Sequence, residues 1–189
     1  MHLPRFAPLL ILVLFATSTV SSQAQPADTS SLTGKWYVEG SSGYFTPGSE
    51  RSDPGYLVSF AVGRHLSTGF LVSGELAMAL TYERYRDNSP LFPGNRRYST
   101  HYIFRLRFQY PIQLGDRHRL SINSGIMYRR FFETFLGEPI QSDFAGLIAG
   151  LQYSYDLRPV RLGVRLDTHI RYDDGIGDYI AAPFIALEM

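Results

Sequence analysis

The sequence predicts an all-β fold, an eight-stranded antiparallel up-and-down transmembrane β-barrel. Apolar and polar side chains alternate with a period of two in eight segments, which is the spacing of the two faces of a β-strand. The connectors between these segments alternate between long and short. The chain is also rich in aromatic residues, with 13 Tyr and 13 Phe in 189 residues.

Composition excludes several other classes of protein. With 44% hydrophobic and 19% charged residues, the chain is expected to fold rather than to be disordered. The absence of cysteine excludes disulfides, thiolate metal sites and a cysteine nucleophile. The formal net charge of +1 gives no basis for binding nucleic acid.

The amino terminus is predicted to be a secretory signal peptide. Arg5 precedes an apolar run from Phe6 to Ala16, which is too short to span a bilayer as a helix, and small residues at Ser22 and Ala24 suit a signal peptidase. We therefore assign 1–24 to the signal peptide, 25–33 to a flexible leader and 34–189 to the barrel.

The alternation is clearest in 100–110. Tyr102, Phe104, Leu106 and Phe108 share one face of this segment, and His101, Arg105, Arg107 and Gln109 share the other. The same pattern predicts further strands at 35–45, 56–66, 70–85, 119–129, 144–155, 161–171 and 179–188. Long connectors are predicted at 46–55, 86–99, 131–142 and 172–178. Short turns separate the remaining strands, so all long loops lie at one end of an antiparallel meander and both termini at the other.

The apolar faces are predicted to contact lipid. Strands of this length suit a tilted crossing of a bilayer, which takes about 9–11 residues. Lys35 is the only lysine beside 17 arginines, and guanidinium groups suit buried pairing better than they suit a soluble surface. Aromatic residues near the strand ends, such as Trp36 and Tyr153, suit membrane interfaces. The alternative is a secreted lipocalin-like carrier, suggested by the run Gly34-Lys35-Trp36-Tyr37.

The first predicted strand, Trp36-Tyr37-Val38-Glu39-Gly40 followed by Gly43-Tyr44, resembles the opening of the small outer-membrane β-barrel family of Gram-negative bacteria. This family includes the barrel domain of OmpA-like proteins, and the resemblance covers about 34–189. It implies insertion by the barrel-assembly machinery, contact with outer-membrane lipid and lipopolysaccharide, and a location in the bacterial outer membrane. We expect a monomer.

The polar faces are predicted to form a lumenal charge network. Its members are Glu39, Glu75, Glu83, Arg105, Arg107, Arg119, Arg129, Arg161, Arg165, Asp167 and Arg171. Because unpaired charges are costly in a narrow barrel, we expect a packed plug rather than an ion path. Four residues, Glu83, His101, Asp167 and His169, are predicted to lie toward the long-loop end of the lumen, but no ligand spacing supports a metal site. The sequence predicts no catalytic residue, cofactor or metal.

Two further features bear on function. The run His65-Leu66-Ser67 resembles the His-x-Ser pair of outer-membrane lipid A deacylases, but it lies at a predicted periplasmic turn. The predicted outer rim carries Arg96, Arg97, Arg130, Phe131, Phe132 and Phe135 as possible loop contacts for lipopolysaccharide or a partner. The alternative is that the strands continue above the membrane and these Phe residues pack on one another. We therefore expect a non-enzymatic protein with an envelope-structural or surface-interaction role. A lipid-modifying enzyme of the deacylase type is the alternative.

Overall fold

The computed structural model describes residues 25–26, 34–48, 52–66, 69–83, 97–135, 138–171 and 175–189. Eight strands form the barrel: β1 (Trp36–Thr46), β2 (Ser52–His65), β3 (Leu71–Glu83), β4 (Arg97–Gln113), β5 (His118–Phe135), β6 (Glu138–Leu157), β7 (Val160–Arg171) and β8 (Gly175–Glu188). The part of the chain that is described contains no helix long and apolar enough to cross a membrane.

Each strand pairs antiparallel with the next along the chain, and β1 pairs with β8 to close the sheet. This closure confirms the predicted eight-stranded up-and-down barrel. A separate two-residue strand, Gln25–Pro26, pairs with the lower end of β4 at Ile112 and Gln113. Closure leaves the barrel without an edge that could pair with another sheet.

The closing seam contains a local irregularity at Pro183. The β1–β8 ladder pairs Ser41 with Phe184 and next pairs Tyr44 with Ala181, so its regular pairing is interrupted between them. Proline has no backbone N–H to donate. Gly43 lies at the same place, where a Cβ would meet the backbone of Ala181 and Ala182. A proline and a close backbone approach therefore coincide at this seam.

The connectors between β2 and β3, β4 and β5, and β6 and β7 lie at one end of the barrel, which we call the lower end. The prediction of a long loop over 131–142 was wrong, because β5 continues to Phe135 and β6 begins at Glu138. Strands also extend into the predicted loops at 46–55, 86–99 and 172–178. Continued backbone pairing outweighed the turn-forming composition on which those loop boundaries were based.

The outer wall of the barrel is apolar. Tyr56 and Leu76 are each 64% exposed on it, whereas Arg105 and Arg165 on the opposite faces are fully buried. Aromatic side chains cluster toward both ends of the wall, in pairs such as Tyr44–Tyr56, Tyr82–Tyr98 and Phe70–Tyr110. An apolar wall between aromatic belts is the arrangement of a barrel whose outer surface faces hydrocarbon.

Candidate functional site: a filled lumen

The lumen is filled by alternating polar and apolar layers. Along β3, inward side chains progress upward from Leu71 through Glu75 to Ala77, Ala79 and Thr81. The other strands contribute to the same succession of layers. The lumen thus holds a lower, a central and an upper polar group, with an apolar layer between each neighbouring pair.

The central group contains three arginines and three carboxylates. Its charged members are Glu39, Glu75, Arg105, Arg107, Arg165 and Asp167, all buried. Arg107 Nη2 donates to Glu39 Oε1 at 2.8 Å, and Arg107 Nε lies 3.0 Å from Glu75 Oε2. Arg105 pairs with Glu75 and also donates to Asp167 Oδ2 at 3.3 Å. The formal charges of this group cancel.

Arg165 bridges the two glutamates of the central group. Its Nη1 lies 3.0 Å from Glu39 Oε1, and its Nη2 lies 2.6 Å from Glu75 Oε1. The same Nη2 donates to the hydroxyls of Ser41 and Ser59 at 2.9 and 3.0 Å. One guanidinium therefore ties β7 to β1, β2 and β3 across the barrel, which makes Arg165 the best-connected charge in the central group.

Apolar layers separate the three polar groups. The upper layer contains Phe45, Leu57, Ala77, Ala79, Ile103, Ile180 and Ala182. The lower layer contains Tyr37, Leu71, Phe184 and Ala186. Two glycines make room for its rings, because a Cβ on Gly63 would overlap the Tyr37 ring and one on Gly163 would overlap the Phe184 ring. A continuous hydrated path through these layers would have to cross packed apolar side chains.

The lower group lies where the short turns are. Asp156 accepts from Arg119 Nη2 and from Arg161 Nε, each at 2.8 Å. Arg161 also pairs with Glu188, whose Oε1 lies 3.7 Å from His65 Nε2. Two arginines and two carboxylates again balance, so this end of the lumen is closed by paired charges.

The upper group is built around Asp178. Arg129 Nη1 donates to its Oδ1 at 2.6 Å, and His169 Nδ1 lies 3.2 Å from its Oδ2. Arg129 and Arg171 lie over the Phe144 ring, at 4.6 and 4.4 Å from its centroid. Within the described ranges, no three His, Asp or Glu side chains are grouped as metal ligands would be.

The structure distributes the predicted network over these three groups rather than one continuous chain of charges. Buried lumenal members are Glu39, Glu75, Arg105, Arg107, Arg119, Arg129, Arg161, Arg165 and Asp167. Arg171 is partly exposed at the upper end, and the side chain of Glu83 lies outside the described residues. Sequence reasoning missed Asp156, Asp178 and Glu188 as partners. Asp156 and Asp178 fell within segments interpreted as connectors, although Glu188 lies on the inward-facing parity of the last strand.

The predicted loop contacts are placed on strands where they are described. Arg130 Nε donates to Asp143 Oδ1 at 2.9 Å on the outer wall. Phe131 faces inward and packs against the tilted His101 ring, with ring centroids 5.0 Å apart. Phe132 faces outward and contacts Tyr102, with ring centroids 5.8 Å apart. Arg96 lies outside the described residues, as do the side chains of Arg97 and Phe135.

No protein-family model matches the chain, and no curated protein matches it significantly. Among solved structures, it is similar to Neisserial surface protein A, with a TM-score of 0.61 and 9% identity over 82% of this chain and 97% of that one. The fold is that of the small outer-membrane β-barrels.

Two further solved structures support the same assignment. The amino-terminal barrel domain of OprF from Pseudomonas aeruginosa has a TM-score of 0.57 and 11% identity, over 83% of this chain and 98% of that one. Ail, the attachment invasion locus protein of Yersinia pestis, has a TM-score of 0.55 and 8% identity, over 83% of this chain and 99% of that one. At these identities the likeness establishes the fold.

Proposed function

We propose that this chain is a non-enzymatic integral protein of the bacterial outer membrane, which acts through its outer surface and extracellular end rather than through its lumen. Its role is structural support of the envelope or contact with partners at the surface. The observation that carries this proposal is the filled lumen, in which three charge-paired groups alternate with two apolar layers.

The orientation of the side chains argues against a lipocalin-like carrier. A carrier of apolar ligands needs an apolar cavity inside its barrel. Here Glu75, Arg105 and Arg165 occupy the interior, while Phe104 and Val164 are more than half exposed on the outside. The apolar outer wall therefore suits contact with a surrounding bilayer, and the charged interior does not suit an enclosed apolar ligand.

The position of His65 supports a non-enzymatic role. His65 lies at the lower end of β2 and points into the lumen, where it is 1% exposed. Neither ring nitrogen makes a hydrogen bond to a described residue, and Ser67 lies outside the described residues. A general base that activates a nucleophile against membrane lipid must lie where that lipid can reach the nucleophile, and this imidazole lies behind the barrel wall.

Conductance measurements test the proposal. The purified full chain is inserted into planar bilayers and into liposomes, with insertion verified by heat-modifiable gel mobility. We expect no ion conductance above that of the lipid and no solute-driven liposome swelling, while a general porin gives both. Stepwise conductance by this chain would overturn the closed-lumen proposal.

Lipid analysis tests the enzymatic alternative separately. Lipid A from a Gram-negative host that expresses the chain is compared with lipid A from the same host carrying an empty vector. We expect identical acylation and phosphorylation patterns. Loss or transfer of an acyl chain only in the expressing cells would show that the protein is a lipid-modifying enzyme.

A further inference from the structure

A groove crosses the outer wall from β2 to β5. It is an open groove with a volume of about 710 Å³. Its floor is formed by the paired residues Ser59, Ala77 and Ile103. Their side chains lie on the inward face of the sheet, so only their backbone faces outward. Its upper wall is formed by Val58, Met78 and Tyr102, and its lower wall by Phe60, Leu76 and Phe104. The groove is therefore long and apolar, and it lies between two rows of large side chains.

The β5 end of this groove carries a cation. Arg130 and Tyr128 line it there, and Arg130 Nη2 donates to the Tyr128 hydroxyl at 3.0 Å. The Nε and Nη2 atoms of Arg130 also bind the two carboxylate oxygens of Asp143, at 2.9 and 3.2 Å. Nη1 makes no hydrogen bond to any residue in the described part of the chain. The guanidinium is thus held in one orientation with a donor nitrogen still available.

A second, smaller groove lies on the other side of the Tyr128 ring. It encloses about 270 Å³ and is lined by Phe104, Ile126, Tyr128 and the small residues Ala145 and Gly146. Phe104 and Tyr128 line both grooves and form the ridge between them, so the two grooves run side by side, and Arg130 lines the larger one. Two apolar grooves near the Arg130 guanidinium match a ligand with an anionic head and more than one hydrocarbon chain.

The strand positions place this site at the boundary between hydrocarbon and headgroups. Arg130 lies twelve residues above the lower end of β5, and Val58 lies seven residues above the lower end of β2. At about 3.3 Å per residue and a strand tilt of about 40°, these positions are roughly 30 and 18 Å above the lower end. The apolar band of such barrels is about 25 Å tall, so the groove climbs from hydrocarbon to the upper headgroup level at Arg130.

We propose that the two grooves and Arg130 bind a phosphorylated, multiply acylated lipid of the outer leaflet, the lipid A part of lipopolysaccharide. A phosphate accepts a charge-assisted hydrogen bond from Arg130 Nη1, and acyl chains lie in the grooves on either side of Tyr128. This site rests on the outer-membrane location proposed above, but it does not depend on whether the lumen is closed.

Native mass spectrometry with defined lipids tests the role of Arg130. The full chain in detergent is titrated with bisphosphorylated lipid A and with the same lipid after removal of its phosphates. We expect Arg130→Gln to weaken binding of the phosphorylated lipid about tenfold, as loss of a charge-assisted hydrogen bond does, and to leave binding of the dephosphorylated lipid unchanged. The matched control is Arg64→Gln, an exposed outward arginine at the lower end that should bind as the unaltered chain does.

Substitutions on β6 test the smaller groove. Ala145→Leu fills this groove and should weaken binding of both lipid forms, whereas Ala149→Leu lies on the same outward face outside both grooves and should not. Equal binding by the Arg130→Gln and Arg64→Gln variants, or equal affinity for the two lipid forms, would overturn the site. If the chain conducts ions in planar bilayers but still binds phosphorylated lipid A better than the dephosphorylated form, only the closed-lumen proposal is overturned. Recovery of the chain from the periplasm without detergent would remove the location on which both proposals rest.

Discussion

At the scale of single residues, Arg165 shows how a barrel tolerates charges in its interior. It lies between Glu39 and Glu75 and receives further support from two serine hydroxyls. Burial removes the hydration of all these groups, so each charge depends on its partners being present. The balance of three arginines and three carboxylates makes the central group neutral as a unit, although no single pair within it is isolated from the others.

Arg165→Met should therefore destabilise the barrel strongly. It leaves an uncompensated carboxylate in the lumen, and we expect the free energy of unfolding to fall by about 3–5 kcal/mol. Arg117→Met, in an exposed turn, should change it by less than about 1 kcal/mol. Urea unfolding in phospholipid vesicles, followed by the fluorescence of the single tryptophan, measures both. Adding Glu39→Gln to Arg165→Met restores the charge balance and should recover part of the loss; no recovery would mean that lost packing dominates.

The sequence predicted which arginines lie inside the barrel, but it did not predict their partners. A period of two assigns Arg105, Arg107 and Arg165 to one face as soon as the strand is recognised. Contact between Arg165 and Glu39, which are 126 positions apart, depends on closure of the barrel and on how the strands are staggered. No local pattern in the sequence contains that information.

At the scale of strands, the packing of β6, β7 and β8 depends on a glycine, because there is no room for a side chain at Gly163. Gly163 of β7 lies against the Phe184 ring of β8 and the backbone oxygen of Tyr153 on β6. Overpacking of a closely packed interior commonly costs about 1–3 kcal/mol. The ring and the glycine are therefore one packing unit shared by adjacent strands.

Gly163→Ala should lower the free energy of unfolding by about 1–3 kcal/mol, since the ring or the strand has to shift. The matched control is Gly74→Ala on β3, where a Cβ would meet nothing within 4 Å. That change should be neutral or slightly stabilising, because alanine loses less backbone entropy on folding than glycine. The same urea titration compares the two variants, and equal destabilisation would contradict the packing argument.

The β5–β6 hairpin is the element at which the loop predicted from the sequence was wrong. Proline and glycine near its tip indicated a loop over 131–142, yet Arg130 pairs with Asp143 and Phe132 pairs with Gln141 in regular register. Phe131 and Phe132 favour extended backbone and find neighbours on opposite faces of the sheet, at His101 and Tyr102. Those neighbours lie on β4, so the extension depended on tertiary contacts that local composition does not report.

At the scale of the whole molecule, the β5–β6 hairpin gives the barrel a direction, because residues 138–145 pair with β5 but extend beyond the end of β7. The turn residues 114–117 and 158–159 lie at the lower end, together with Leu66, Gly69 and Met189. The β5–β6 hairpin extends from the opposite end. In outer-membrane barrels the short turns face the periplasm and the long connections face outward, so the hairpin should lie outside the cell.

Single cysteines measure this direction, because the chain has no cysteine of its own. Gln141→Cys places an exposed thiol on the hairpin, and Asp116→Cys places one in a lower turn. We expect a membrane-impermeant maleimide to label Gln141→Cys on intact cells and to label Asp116→Cys only after the outer membrane is permeabilised. Labelling of both in permeabilised cells controls for reactivity. The reverse pattern on intact cells would mean that the barrel is inserted upside down, and it would move Arg130 and its grooves to the inner leaflet.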